Sequence, residues 1–268
     1  MYSISYKIFR SLPAACPLCD MSARGGDLCA GCALDLLSPL NDRARCQRCF
    51  EAVAVPAQEE GAAVSATPTI FHTQVPPPVV QCSRCASHPP AYASLVAAIE
   101  YTYPGDMLIQ RFKEGARLAY AGMFARLLWN RLQTRLGSCQ ALAPLGALVP
   151  IPASQSALRR RGFNPANELA RELARLSGYP LRQRWLTRTR EACTQKTLDA
   201  RARRESVAGL YACPHAVPNV WVGVVDDVVT TGSTLHIAAM ALLSAGAAGV
   251  VGLAAAHTPR TWQNDTYD

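Results

Sequence analysis

One stretch constrains the fold of this chain more than any other: residues 220–235, reading V-W-V-G-V-V-D-D-V-V-T-T-G-S-T-L. From Val220 to Val225 it is apolar and largely β-branched, with one Trp and one Gly. Such a run suits a strand buried on both faces, as in a parallel sheet. Asp226 and Asp227 follow, where that strand is expected to end. Thr230, Thr231, Gly232, Ser233 and Thr234 then form a loop of small hydroxyl and glycine residues, and Leu235, Ile237, Ala238, Met240 and Ala241 open a helical pattern.

Each part has a chemical use. In an open α/β sheet, ligands bind beyond the carboxyl ends of strands, beside helix N-termini. Backbone N–H groups and hydroxyls of such a loop can wrap one phosphate, and the helix dipole favours its charge. Gly232 allows close backbone approach. The two carboxylates, one loop-width away, suit sugar hydroxyls and, directly or through water, Mg²⁺. The segment therefore describes a site for a sugar phosphate with a metal. It lacks the G-K-[ST] of a Walker loop and the G-x-G-x-x-G of a dinucleotide turn. The plain alternative is an ordinary strand-turn-helix.

Apolar residues, two acids and a T-T-G-x-T loop closely resemble the phosphoribosyl-pyrophosphate (PRPP) motif of type I phosphoribosyltransferases. The resemblance implies that Asp226 and Asp227 hold the ribose hydroxyls and orient the sugar for transfer. It implies that Val229, Thr230, Thr231, Gly232, Ser233 and Thr234 hold the 5′-phosphate.

A length of 268 residues allows one large or two modest domains, and half of the residues are apolar, ample for a core. The net charge is +8, and 24 of the 27 basic residues are Arg. That suits phosphate-bearing ligands, although a codon bias gives the same count. The N-terminus has no apolar signal-peptide core. Residues 237–256 carry no charge over twenty residues, the length of a membrane span. They are mostly Ala and Gly, however, and a helix to Ser244, a Gly turn and a buried strand from Gly249 to Ala254 account for them better. A cytoplasmic protein without a membrane span is expected.

Of eleven Cys, eight form four C-x-x-C pairs: Cys16/Cys19, Cys29/Cys32, Cys46/Cys49 and Cys82/Cys85. Two such pairs complete a tetrahedral Zn²⁺ site, so one or two structural zinc ions are expected; disulfides are the alternative. The short span from Cys16 to Cys32, with a helix over Ala33 to Leu37, favours one local Cys₄ site. Cys46/Cys49 would then join Cys82/Cys85. A cross-braced pairing, first with third and second with fourth, stays open. Residues 53–80 are rich in Ala, Pro, Thr and Gln and read as an insertion within a cysteine-rich module spanning residues 1–90.

Residues 91–268 read as an α/β domain. Tyr92 to Tyr103 is strand-like. Asp106 is a candidate helix N-cap, and Gly115 separates two amphipathic helices. Lys113 reads as a solvated helix-surface residue, unless the resemblance of its segment given below holds. Ala147 to Pro152 is a short strand delivering Leu158-Arg-Arg-Arg-Gly-Phe-Asn164, a second candidate phosphate site or a solvated basic loop. Asn164 and Pro165 start a helix that stops at Gly178. Residues 188–204 read as a mobile, Arg-rich loop able to close over a substrate, or as plain surface.

In order, the C-x-x-C pairs, LIQRFKEGARL, VPIP, RRRGFN, Q-x-x-L-x-x-x-x-R and the PRPP motif resemble the ComF family of competence-associated phosphoribosyltransferase-like proteins, which includes GntX-type proteins. The resemblance spans nearly the whole chain outside the insertion. It implies a type I phosphoribosyltransferase-like parallel sheet flanked by helices. It implies a pyrophosphate-side loop at Val149, Pro150 and Ile151, supported by Arg161 to Asn164. It also puts Gln195 and Arg203 or Arg204 in the mobile region and adds Mg²⁺ with PRPP. Single-stranded DNA and a DNA-uptake helicase are the implied partners of an alternative, non-catalytic role. Acceptor choice in that fold lies in a hood, here the zinc module. Pro165 stands where the family usually has Gln, and Ser206 where it often has Asn.

Overall fold

A computed structural model describes residues 12–41, 43–53, 80–114, 118–138, 144–189 and 209–260. Nearly all of the expected insertion, Gly115, Ser206, and the mobile-region residues Gln195, Arg203 and Arg204 lie outside them.

Strands β1 (Pro13–Ala15) and β2 (Ser22–Arg24) form a small antiparallel hairpin. The main sheet contains β3 (Ser94–Glu100), β4 (Leu145–Pro150), β7 (Trp221–Val229) and β8 (Gly249–His257), all parallel, in the order β3-β8-β7-β4. A two-residue pair, β5 (Thr187–Arg188) with β6 (Tyr211–Ala212), lies apart. Helices α1 (Ala30–Asn41), α2 (Ser83–Ser87), α3 (Gly105–Glu114), α4 (Leu118–Ser138), α5 (Gln155–Arg161), α6 (Pro165–Ser177) and α7 (Ser233–Ser244) complete the fold. The expected parallel α/β sheet with flanking helices is what the chain forms.

Every residue of β8 is buried, which explains its unbroken apolar run: a central parallel strand has both faces covered. On one face, α3, α4 and α6 supply Leu108, Phe112, Phe124, Leu128, Leu169 and Leu173. On the other, Leu235, Ala238 and Leu242 of α7 pack against Leu95, Val222 and Val224. A Cβ on Gly252 would sit 2.2 Å from Leu235 Cδ2, so glycine there lets α7 lie close on the sheet. The region of residues 237–256 resolves as expected into helix, a turn at Gly246 with φ of 109°, and strand. Among the described residues, no helix is long and apolar enough to cross a membrane.

Local signals set several boundaries. The Asn164 side chain accepts from Ala166 N, Pro165 opens α6, and Gly178 closes it in the left-handed region. The cap is worth about 1 kcal/mol, while each of Leu169 and Leu173 contributes about 1.5–3 kcal/mol by burial. Packing holds α6, and the cap decides where it starts. Several boundaries differ from expectation: β3 and β4 are Ser94–Glu100 and Leu145–Pro150 rather than 92–103 and 147–152, and two helix starts differ as well. Asp106 lies inside the first turn of α3 and accepts from Met107 N rather than preceding the helix. Residues 155–161 are helical, capped by the Ser154 hydroxyl and stopped by Gly162 at φ 77°; the three consecutive arginines, good helix formers, fill its last turn.

His257, at the end of β8, is 2 % exposed. It stands 3.9 Å from Glu51 and edge-on to Phe50. Burial first, then the Arg45 charge, holds its pKa at about 4 rather than the ordinary 6.5. A depressed histidine contributes stability that is complete above the ordinary value and is lost as pH falls toward the folded one. Burial raises Glu51, whose contribution runs the opposite way, so the comparison belongs in a Glu51→Gln background. There, the His257 contribution to stability should fall between pH 6.5 and 4 by on the order of 3 kcal/mol. The stability difference between this background and its His257→Gln variant should change by that amount between the two pH values, as measured by denaturant unfolding.

Candidate functional site

Strand β7 runs four residues beyond its expected end, through both acids to Val229. The reason is β8, which pairs with it throughout: Asp226 opposite Ala254, Val228 opposite Ala256 and Val229 opposite His257. Asp226 is consequently 9 % exposed. Burial first, then the charge of Asp227, raises its pKa well above the carboxylate range. Its Oδ1 accepts from Asp227 N at 2.8 Å, and Asp227 Oδ1 accepts from Val228 N at 2.9 Å. The connection to α7 is only Thr230, Thr231 and Gly232; Ser233 and Thr234 already belong to its first turn.

Gly232 has a φ of 77° and serves as the N-cap of α7. A Cβ there would lie 2.5 Å from the hydroxyl of Tyr92, a side chain that is 1 % exposed. Both the backbone conformation and the close approach therefore require glycine. Thr231 Oγ1 and Ser233 Oγ lie 2.8 Å apart, tightening the loop mouth.

Lys113, expected to be solvated, extends from α3 to place Nζ 3.2 Å from Asp227 Oδ2. Its neighbour Phe112 packs on Phe163, with centroids 6.3 Å apart. Asn164 donates through Nδ2 to the Ile151 carbonyl at 2.9 Å, and Ile151 N donates to the Val225 carbonyl. Pro150 and Ile151 thus follow the end of β4 directly beside β7. Arg161 sits partly exposed in the last turn of α5. The Lys-bearing segment, the R-G-F-N turn, the strand β4 end and the twin acids meet at one edge of the sheet. The Lys-bearing motif LIQRFKEGARL, one of those that carry the family resemblance, is the sequence signal that moves Lys113 from solvent to site.

Beside the loop opens a cleft of about 960 Å³. Arg84, Tyr211, Thr231, Gly232, Ser233 and His236 border it, and neither acid is among its bordering residues. The loop faces this cleft, whereas Asp227 faces Lys113.

The eight cysteines form two groups, Cys16/Cys19/Cys29/Cys32 and Cys46/Cys49/Cys82/Cys85, each with sulfurs within 4.8 Å of one another. The first grouping is the local one, and the cross-braced arrangement is not adopted. Sulfur separations of 3.5 Å (Cys19–Cys29) and 3.6 Å (Cys49–Cys82) are far from a disulfide bond of about 2.05 Å. They approach the edge of about 3.8 Å in a tetrahedron with Zn–S bonds of about 2.3 Å. Burial pushes the Cys85 thiol up to about 12, whereas hydrogen bonding with Cys49 lowers Cys46 to about 4; all four sulfurs become thiolates together only around a cation. The donor set fits zinc. Each first knuckle repeats one backbone design: Cys16 N to Met21 O with Asp20 N to Cys16 O, and Cys46 N to Glu51 O with Phe50 N to Cys46 O. Asp20 and Phe50 take positive φ at equivalent places. Each second pair opens a helical turn, Ala33 N to Cys29 O and Ala86 N to Cys82 O.

No protein-family model matches the chain. It is 30 % identical over 242 residues to the DNA utilization protein YhgH of Escherichia coli O157:H7, covering 90 % of this chain and 95 % of that one. The chain belongs to the ComF family. Other ComF relatives are the DNA utilization protein YhgH of Salmonella typhimurium, 34 % identical over 65 % of this chain and 76 % of that one, and Competence protein F of Haemophilus influenzae, 31 % identical over 58 % and 69 %. A Trypanosoma cruzi hypoxanthine phosphoribosyl transferase structure overlaps 61 % of this ComF chain and 83 % of its own at 15 % identity and a TM-score of 0.31.

Two outcomes follow for this ComF protein. Metal analysis of the purified chain should give two zinc ions, and Cys19→Ser or Cys49→Ser should each leave one. Gly232→Ala should destabilise by roughly 1–3 kcal/mol through strain and collision, with Tyr92→Phe relieving only the collision, as read by thermal unfolding of single and double variants.

Proposed function

We propose that the chain binds PRPP at the Asp226 to Thr234 segment and acts as a phosphoribosyltransferase-type protein. The observation carrying this reading is the continuity of β7 into α7: two acids at a carboxyl end, three linking residues, then a helix N-terminus. First-turn amides of a helix lack intrahelical acceptors and suit a phosphate. Asp226 and Asp227 suit the ribose hydroxyls, and Lys113 supplies the positive charge that lets adjacent carboxylates coexist.

In transfer, the bond from ribose C1 to pyrophosphate oxygen breaks, the pyrophosphate leaves with its electron pair, and an acceptor lone pair forms the new bond. Magnesium would neutralise charge on that leaving group. The chain contributes positioning and fixed charge rather than a covalent intermediate. Asp226 and Asp227 fix the sugar, the Thr230–Thr234 amides fix the phosphate, and Pro150 and Ile151, held by Asn164, flank the pyrophosphate side. Arg161 and, by resemblance, Gln195, Arg203 and Arg204 would cover it.

A second reading is handling of single-stranded DNA, with a helicase as partner. The names of the relatives and the net charge of +8 favour it. Phosphate-dominated binding weakens steeply with salt, so a flat salt response with an oligonucleotide would count against it.

Calorimetry with PRPP and Mg²⁺ should show binding to the wild type and none to Asp226→Ala/Asp227→Ala; equal affinities would remove the site. Pyrophosphate release across a panel of bases and amines tests turnover. The raised Asp226 adds a signed expectation. An acid raised in the folded state contributes stability below the ordinary carboxylate range, and that contribution is lost as pH rises through the folded value. Asp226→Asn keeps an oxygen for Asp227 N, so at neutral pH it should raise the melting temperature while abolishing PRPP binding. In the wild type, affinity should rise with pH through the acidic range, because the sugar hydroxyls and a cation favour the ionised form.

A further inference from the structure

We infer that the Cys82–Cys85 knuckle is part of the phosphate site: Arg84, carried between two cysteines of the second cluster, is a phosphate-binding residue for the Thr230–Thr234 loop. This rests on the sugar-phosphate reading above and extends it to a module that is remote in sequence. Arg84 Nη2 donates to the Thr231 carbonyl at 3.1 Å across 147 residues of chain. A guanidinium has five donors in a fixed fork, and Thr231 takes one of them. The side chain is exposed and borders the cleft together with Thr231, Gly232 and Ser233. A positive charge therefore stands at the mouth of the loop, where an anion would sit on the first turn of α7.

Its position is imposed by the metal cluster. Arg84 is in the five-residue helix α2, which is too short to hold itself. Cys82 and Cys85 bring both of its sides to Cys46 and Cys49, with all four sulfurs within 4.8 Å of one another, where a metal would hold them. That cluster is in turn fastened to the sheet: the Gln47 carbonyl accepts from Ser94 Oγ at 2.8 Å, and Arg45 pairs with Glu100 at 2.6 Å. Cys49 and Cys85 line the same cleft as Gly232. The first cluster makes no such contact among the described residues: its Pro17 carbonyl accepts from Arg111, and its Asp27 accepts from Arg126. One cluster therefore meets the outer helices, and the other holds a cation over the loop.

The test is calorimetric titration of the full metal-loaded chain with ribose 5-phosphate, a probe bearing the 5′-phosphate but no pyrophosphate, with ribose as control. Arg84→Ala should weaken ribose 5-phosphate binding roughly 10-fold or more, and Arg84→Lys should recover part of the loss. Binding in Arg84→Ala should also depend less on ionic strength than in the wild type, a change that a merely structural role would not produce. Zinc content should stay at two per chain and the melting temperature unchanged. Arg24→Ala, on the first hairpin, should bind as the wild type does. If Arg84→Ala matches the wild type in affinity and salt response, the inference is overturned while the site reading stands. If the wild type binds neither ribose 5-phosphate nor PRPP, the site reading itself fails and takes this inference with it.

Discussion

The pairing of β7 with β8 out to His257 is the constraint on which the functional edge of this protein depends. Without that partner the ladder would end near Val225, and the acids would stand in an open loop. With it, Asp226 lies under the sheet edge, where burial disfavours its charge. A carboxylate held there needs compensation, and the Lys113 ammonium supplies it through Asp227. The position of Lys113 depends on Phe112, which is fully buried between Phe124 and Phe163. An aromatic ladder in the core thus sets the electrostatics at the surface.

The cysteine clusters answer a different constraint. Each knuckle is a short segment, and small units of this kind usually rely on metal. The repeated hydrogen-bond pattern around Cys16 and Cys46 shows one design used twice. Each copy then attaches to the α/β part through an arginine-carboxylate pair: Arg126 with Asp27 for the first, Arg45 with Glu100 for the second. Arg45 and Glu100 are largely buried, and Arg45 also lies 5.5 Å from the Phe50 ring centre. Removing one partner of such a buried pair costs far more than the pair itself contributes, so the second cluster is tied firmly to the end of β3.

Much of this was legible in the residues. The apolar run of β7, the α6 boundaries at Asn164 and Gly178, and the helix-turn-strand over residues 237–256 follow from local rules of burial, capping and glycine conformation. Membership of the ComF family was visible in the order of the motifs. Less legible were the extension of β7 past its acids and the helix over residues 155–161. The first depends on a partner strand, and the second on a serine cap ahead of an Arg-rich end that reads as loop.

The sequence by itself determined which groups are available: two acids, a hydroxyl-glycine loop before a helix, and eight paired thiols, because composition and short-range geometry are written in neighbouring residues. Tertiary structure alone decided which groups meet. Lys113 reaches Asp227, Arg84 reaches Thr231, and the cysteines sort into one local and one long-range cluster. Those contacts join segments separated by as many as 147 residues. No local rule reaches that far, since the partner of a charge is set by how sheets and helices pack.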